Sequence, residues 1–244
     1  MSTKKIALVT GANKGIGLET VRQLAAQGIT VLLGARDEKR GGEAADKLKA
    51  EGLDVQFVQL DVNDEASQDN AAKFIADKFG KLDILVNNAG IAQDFMVPTS
   101  QSTLEQWRNT FETNVFNLVS LTQKLLPLVK KSEAGRIVNL TSILGSLTLH
   151  TDPKSPIAGS SSSGAAYNAS KAALNMFTVN LANELKGTTV KVNAAHPGWV
   201  KTDMGGDAAP MEIVDGAKTS VTLATLPEDG PTGGYFHLGQ TLPW

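Results

Sequence analysis

The chain has 244 residues, 41% of them hydrophobic, and a formal net charge of −2. That apolar share supports a substantial core and excludes disorder as the main state, and the balance of charge lacks the basic footprint of a nucleic-acid binder. With no cysteine, disulfides, thiolate catalysis and cysteine metal sites are excluded.

The apolar run near the start, Ile6-Ala7-Leu8-Val9, is too short for a signal peptide. No stretch approaches the roughly 20 apolar residues of a membrane span, so a soluble cytoplasmic protein without a membrane partner is expected. Ile6–Val9 reads instead as a parallel strand covered on both faces. Thr10-Gly11-Ala12-Asn13-Lys14-Gly15-Ile16-Gly17 follows, and then a helical pattern in Leu18, Val21, Leu24 and Ala25. Strand, glycine turn and helix together let backbone N–H groups and a helix N-terminus hold a pyrophosphate. The spacing is Gly-x-x-x-Gly-x-Gly rather than Gly-x-Gly-x-x-Gly, and a glycine turn without a ligand gives the same pattern.

Thr30–Leu33 is the second strand, ending at Gly34-Ala35-Arg36-Asp37. About 20 positions past the glycines, a carboxylate selects a ribose 2′-hydroxyl and an arginine accommodates a 2′-phosphate. Arg36, with Lys14 as a second cation, favours NADP(H). Asp37 offers the competing reading, as a ribose ligand or a helix cap. A polar helix (Glu43–Ala50), a third strand (Val55–Leu60, ending in Asp61-Val62), a helix (Ala66–Phe79) and a fourth apolar run (Leu82–Val86, ending in Asn87-Asn88-Ala89-Gly90) follow. This alternation predicts a single-domain, Rossmann-type, doubly wound parallel α/β sheet of about seven strands with helices on both faces. Ligands of such sheets sit at the carboxyl ends of strands, where Arg36, Asp61 and Asn88 fall.

Thr103–Lys131 reads as one long helix with Asn114 in its interior. Asparagine is a poor residue there; it is either a tolerated exposed amide or a side chain facing a site. A fifth strand, Arg136–Leu140, ends in Thr141-Ser142, where a serine can donate to a bound oxygen or cap a turn. Gly145–Gly164, with Pro153, Pro156 and Ser160–Ser163, reads as loop. The next helix runs through about Leu185 and opens with Tyr167-Asn168-Ala169-Ser170-Lys171. Tyr and Lys four apart share a helix face, and the nearby ammonium is expected to lower the phenol pKa, making Tyr167 a proton exchanger for a carbonyl or alcohol oxygen. A sixth strand (Val190–Ala195) breaks at His196-Pro197-Gly198. Trp199–Pro210 reads as a lid, and a helix from Met211 to about Leu226 and a short strand near Tyr235-Phe236 complete the pattern. No linker or repeat divides residues 1–244. The dinucleotide-binding part is expected at about 1–140 and the substrate loops at about 143–166 and 199–226.

With these residues in place, the sequence resembles the short-chain dehydrogenase/reductase superfamily from end to end. The motifs are Thr10–Gly17, Asn87–Gly90, Asn114, Ser142, Tyr167-x-x-x-Lys171 and Pro197-Gly198-x-x-x-Thr202. It is most similar to the NADP(H)-dependent carbonyl reductases, through Thr-Gly-Ala-Asn-Lys-Gly-Ile-Gly and Ala-Arg-Asp. The resemblance implies that Tyr167 is the general acid in reduction and the base in oxidation. It also implies that Lys171 lowers the Tyr167 pKa and bonds the nicotinamide ribose, that Ser142 holds the substrate oxygen, and that Asn114 keeps a water linking Lys171 to solvent. Gly11, Asn13, Lys14, Gly15 and Ile16 would line the phosphates and adenosine ribose, Asp61 and Val62 the adenine, and Asn88 the ribose side. Pro197, Gly198, Val200 and Thr202 would meet the nicotinamide end.

Phe95, Met96, Leu144, Trp199 and Met204 follow strand ends and are candidates for an apolar substrate pocket, or for plain packing. His150, His196 and His237 are scattered without ligand spacing, so no metal is expected, and His196 reads as structural. The 24 residues between Ser142 and Tyr167 exceed the spacing of many family members; related carbonyl reductases with an insertion here imply a monomer or dimer rather than a tetramer. The expected function is NADPH-dependent reduction of a ketone or aldehyde. A 3-oxoacyl-thioester reductase and a non-catalytic NADP(H)-binding regulator are the alternatives.

Overall fold

The computed structural model describes residues 4–159 and 164–244. The serine run at 160–163 lies outside them. Eight strands form one sheet: β1 (Ile6–Val9), β2 (Thr30–Ala35), β3 (Val55–Gln59), β4 (Ile84–Asn87), β5 (Arg136–Leu140), β6 (Lys191–Ala195), β7 (Tyr235–His237) and β8 (Gln240–Thr241). Their order is β3-β2-β1-β4-β5-β6-β7-β8, parallel throughout except for β8. The helices are α1 (Gly15–Ala26), α2 (Glu38–Ala50), α3 (Glu65–Phe79), α4 (Leu104–Phe111), α5 (Asn117–Val129), α6 (Leu147–Thr151), α7 (Ala165–Glu184) and α8 (Ile213–Ala224).

β1 and β2 are buried along their whole length because both faces of the sheet are covered there. Ala7 and Val9 point into a core shared with Val21 and Leu24 of α1, Leu48 of α2 and Leu223 of α8. Ile6 and Leu8, on the opposite face, pack with Ile75 of α3, Leu121 of α5 and Leu181 of α7. Strand order reverses between β1 and β4, and that switch point opens a crevice at the carboxyl edge.

The structure departs from the sequence reading in three places. The eighth strand was not expected. It is a two-residue hairpin arm with both residues exposed, reached through Leu238 (φ 46°) and Gly239 (φ 81°), the positive-φ pair that a tight hairpin turn requires. So short and exposed a strand carries no hydrophobic pattern. The helix expected over Thr103–Lys131 is broken into α4, a π turn (Glu112–Phe116) and α5. A π turn adds a residue per turn, and here it carries Thr113 and Asn114 inward to full burial. Inside the loop expected at Gly145–Gly164 sits α6, capped by Ser146 and held by long-range bonds: Ser146 Oγ donates to the Pro243 carbonyl (2.8 Å), and Thr148 N–H to that of Trp244 (3.1 Å).

At the far end of β5, the Arg136 guanidinium is buried and donates to the carbonyls of Gly135, Thr189, Leu226 and Pro227. It thereby ties α8 to the sheet. Arg136→Met is expected to cost about 3 kcal/mol by removing these charge-assisted bonds. Urea unfolding would show this as a lower midpoint at constant slope, and an unchanged midpoint would contradict it.

Candidate active site

The crevice is a cleft of about 800 Å³, at the large end of ligand pockets, which span about 300–1,000 Å³. Its walls bring together Gly11, Asn13, Lys14, Gly15 and Ile16 after β1, Arg36 after β2, Asp61 and Val62 after β3, and Asn88 after β4. Tyr167 and Lys171 of α7 join them, with Pro197 and Thr202 after β6. Gly198 and Val200 stand behind this wall. Val200 is buried against Gly216 and bridges to Met211.

The glycine turn is fastened rather than loose. Gly11 has φ +62°, and a Cβ there would stand 2.9 Å from the Cα of Ala89, so only glycine fits. Asn88 donates through its side-chain amide to the carbonyls of Thr10 (2.7 Å) and Gly11 (3.1 Å), while Thr10 Oγ1 accepts from the backbone N–H groups of Asn88 and Ala89. The Asn88 amide nitrogen therefore serves the turn, leaving its oxygen for the cleft. Asp37 is resolved as a helix cap: its carboxylate accepts from Arg40 N–H at 2.9 Å. Arg36 lines the cleft and makes no ion pair among the described residues. Lys14 pairs with Asp203, in the segment after β6, both largely exposed, an arrangement that solvent screens and another anion can displace. A backbone cradle with an unpaired guanidinium at its far end fits a dinucleotide bearing an additional phosphate.

At the other end of the cleft, Tyr167 and Lys171 are 7% and 5% exposed. The N-terminus of α7 has a glycine at its cap position and no local side-chain cap. Asp94, fully buried, supplies one from a distance, accepting from the N–H of Ala166 (2.7 Å) and of Tyr167 (3.4 Å). The sequence offered no local signal for it, since Asp94 lies 72 positions upstream of Ala166. Ser142 lies two residues past β5, at the start of a short turn, and hydrogen-bonds the Tyr167 side chain. The turn after it runs against α7 so closely that a Cβ on Gly145 would lie 2.8 Å from the backbone of Lys171. Lys171 Nζ donates to the Leu140 carbonyl at 2.9 Å and stands 5.5 Å from the Tyr167 ring centroid.

Asn114 turns out to be neither exposed nor idle. Its Oδ1 accepts from Ile91 N–H (2.8 Å), and its Nδ2 donates to the Ile91 carbonyl (2.8 Å) and Ser170 Oγ (3.0 Å). Ser170 in turn donates to the Tyr167 carbonyl (2.7 Å). Among the substrate candidates, Phe95 packs edge-on to Tyr167, with ring centroids 5.0 Å apart. Leu144 lies in the short turn after Ser142, its N–H donating to Ser142 Oγ at 3.2 Å. Trp199 is exposed and donates from Nε1 to the Gly205 carbonyl. None of these three lines the cleft, whereas Met204 does.

The lowered tyrosine pKa expected from the sequence does not occur in this arrangement. Burial pushes the Tyr167 phenol up to about 12, the Ser142 hydrogen bond opposing it only partly. The same burial pushes the Lys171 ammonium down to about 8, and its bond goes to a carbonyl rather than to the phenol. Desolvation disfavours whichever form is charged, and it is the largest cause of both shifts. A lysine with a depressed pKa holds fewer protons folded than unfolded between about pH 8 and 10.5, so its contribution to stability rises with pH across that window. Wild type is therefore expected to gain about 3 kcal/mol relative to Lys171→Met across it, measured by urea unfolding at each pH. A constant difference would contradict the buried ammonium. Tyr167 is present in both proteins, so its own effect at higher pH cancels.

Among the described residues, no helix is long and apolar enough to cross a membrane, and no group of three His, Asp or Glu side chains could hold a metal ion. The family model described as short chain dehydrogenase matches residues 5–213. Carbonyl reductase [NADPH] 1 of Mus musculus is 36% identical over all of this chain and 99% of its own length. (−)-Isopiperitenone reductase of Mentha piperita is 36% identical over 98% of each. An NADPH-bound carbonyl reductase from chicken fatty liver superposes with a TM-score of 0.86 at 31% identity, covering 99% of both chains. With the glycine turn, Tyr167 and Lys171 gathered on one cleft, Ser142 bonded to Tyr167, and a family match over most of its length, this chain belongs to the short-chain dehydrogenases.

Proposed function

We propose that the protein reduces a ketone or aldehyde to its alcohol with NADPH, reversibly, and that Tyr167 gives the proton. The observation that carries this is the pair of hydroxyls, Ser142 and Tyr167, hydrogen-bonded to each other beside Lys171, with Tyr167 and Lys171 in the wall of a cleft whose far end presents Arg36. When bound, NADPH supplies the hydride, and the protein's part is to orient and to deliver a proton.

Gly11, Asn13, Gly15 and Ile16 would hold the phosphates, Arg36 the 2′-phosphate with Lys14 released from Asp203, and Lys171 a ribose. The names of the mouse and chicken carbonyl reductases, both with NADPH, support this choice of cofactor. A carbonyl oxygen gains negative charge as it is reduced, and two O–H donors aimed at that oxygen stabilise it where water is excluded. Ser142 donates throughout, and Tyr167 donates and then gives up its proton. A phenol whose pKa is raised to about 12 is fully protonated at neutral pH and so stands ready as the acid. The Lys171 ammonium, a few ångströms from the ring, favours the phenolate left behind.

Tyr167→Phe removes the proton and leaves the ring and the rest of the cleft. Ketone-dependent NADPH oxidation is expected to fall by about a thousandfold or more, the loss of a general acid and an oxyanion donor combined. NADPH affinity, read by fluorescence titration, is expected to stay within about threefold. Retained turnover would end the assignment of Tyr167 as donor.

A further inference from the structure

Directly behind Ser142 lies a buried imidazole that the chemistry above does not use. His196 follows β6, is 8% exposed, and precedes Pro197-Gly198. Its Nδ1 accepts from two backbone N–H groups, that of Ile143 at 3.2 Å and that of Gly198 at 3.4 Å. A ring nitrogen that accepts carries no proton, so this ring is the neutral tautomer with its hydrogen on Nε2. Burial and the neighbouring His237 hold its pKa down at about 3, and the ring stays an acceptor across the working pH range.

His196 is itself held rigidly. Its N–H donates to the Phe236 carbonyl at 2.8 Å, and its carbonyl accepts from Nδ1–H of His237 at 2.9 Å. The two imidazole centroids are 4.8 Å apart. Ile143 is the residue after Ser142, and Gly198 the residue after Pro197, a wall of the cleft. One nitrogen thus receives both the turn that carries the substrate-oxygen donor and the turn that shapes the cleft beside it.

We propose that His196 is a positioning residue, a neutral acceptor that clamps the Ser142 turn to the Pro197-Gly198 turn and so sets the spacing between the Ser142 hydroxyl and the cleft wall. Its consequence for turnover rests on the reductase reading, while the clamp itself does not. Simple packing would require only the ring's volume; the clamp requires an acceptor atom at the Nδ1 position. His196→Asn places an amide oxygen near that position. His196→Gln keeps more of the volume but carries its oxygen one bond further out.

Amide hydrogen exchange at Ile143 and Gly198 and steady-state kinetics with NADPH and a ketone, in wild type and both variants, separate these cases. Exchange at both amides is expected to remain slow in His196→Asn and to quicken about tenfold or more in His196→Gln, with the β6 amides of Val192 and Ala194 unchanged. The rate constant kcat is expected to fall about tenfold in His196→Gln while the NADPH dissociation constant stays within about threefold, and His196→Asn is expected to restore kcat. Equal exchange in all three proteins, a Gln variant as fast as wild type, or an Asn variant as impaired as Gln would each overturn the clamp. If wild type turned over no carbonyl, the reductase reading would fall, and exchange at the two amides alone would uphold or overturn the clamp.

Discussion

Burying a phenol and an ammonium side by side is the constraint on which this structure turns. Desolvation drives Tyr167 and Lys171 towards their neutral forms, and a buried polar group without a partner costs about 1–3 kcal/mol. The surroundings answer each group in turn. Leu140 offers a carbonyl to the ammonium, Ser142 a hydroxyl to the phenol, Asp94 a carboxylate to the bare N-terminus of α7, and Asn114 an amide to Ser170. These come from three separate stretches of the chain, the end of β5 with the turn after it, the segment after β4 and the π turn, so the pair stands only where those stretches meet. Gly145 matters for the same reason, because any side chain there would push the β5 turn off the backbone of Lys171.

The sheet supplies that meeting place. Parallel strands deliver their carboxyl ends, and the loops that follow them, to one edge, and the reversal of order between β1 and β4 opens that edge into a cleft. Arg36 and the fastened glycine turn stand towards one end, Tyr167, Lys171 and Pro197 towards the other. Residues after the strands and at the start of α7 thus face one cleft, while the cores on the two faces hold the strands in register.

Much of this was legible in the chain itself. Ile6–Val9, Val31–Leu33 and Ile84–Val86 are apolar without alternation because they are buried on both faces, and that pattern survives without a structure. Tyr167 and Lys171 share a helix face by spacing alone. Asp37 against Arg36 was an open choice that the structure narrowed, since the Asp37 carboxylate is used as a cap. What stayed hidden depends on partners distant in sequence. The π turn around Asn114 answers to Ile91 and Ser170, α6 is held by Pro243 and Trp244, and Asp94 caps a helix 72 positions away. Helix spacing reports only that Tyr167 is near Lys171, which predicts a lowered pKa, whereas burial, which dominates here and raises it, is a property of the assembled fold.

The central claim is that this cleft moves a hydride between NADPH and a carbonyl carbon. The most direct measurement supplies NADPH carrying deuterium at both hydrogens of the nicotinamide C4 with a panel of ketones and aldehydes, and reads the alcohol product by mass spectrometry. Alcohol carrying deuterium on its carbinol carbon is expected, formed in step with NADPH consumption. Tight NADPH binding with no deuterated alcohol from any member of the panel would contradict it.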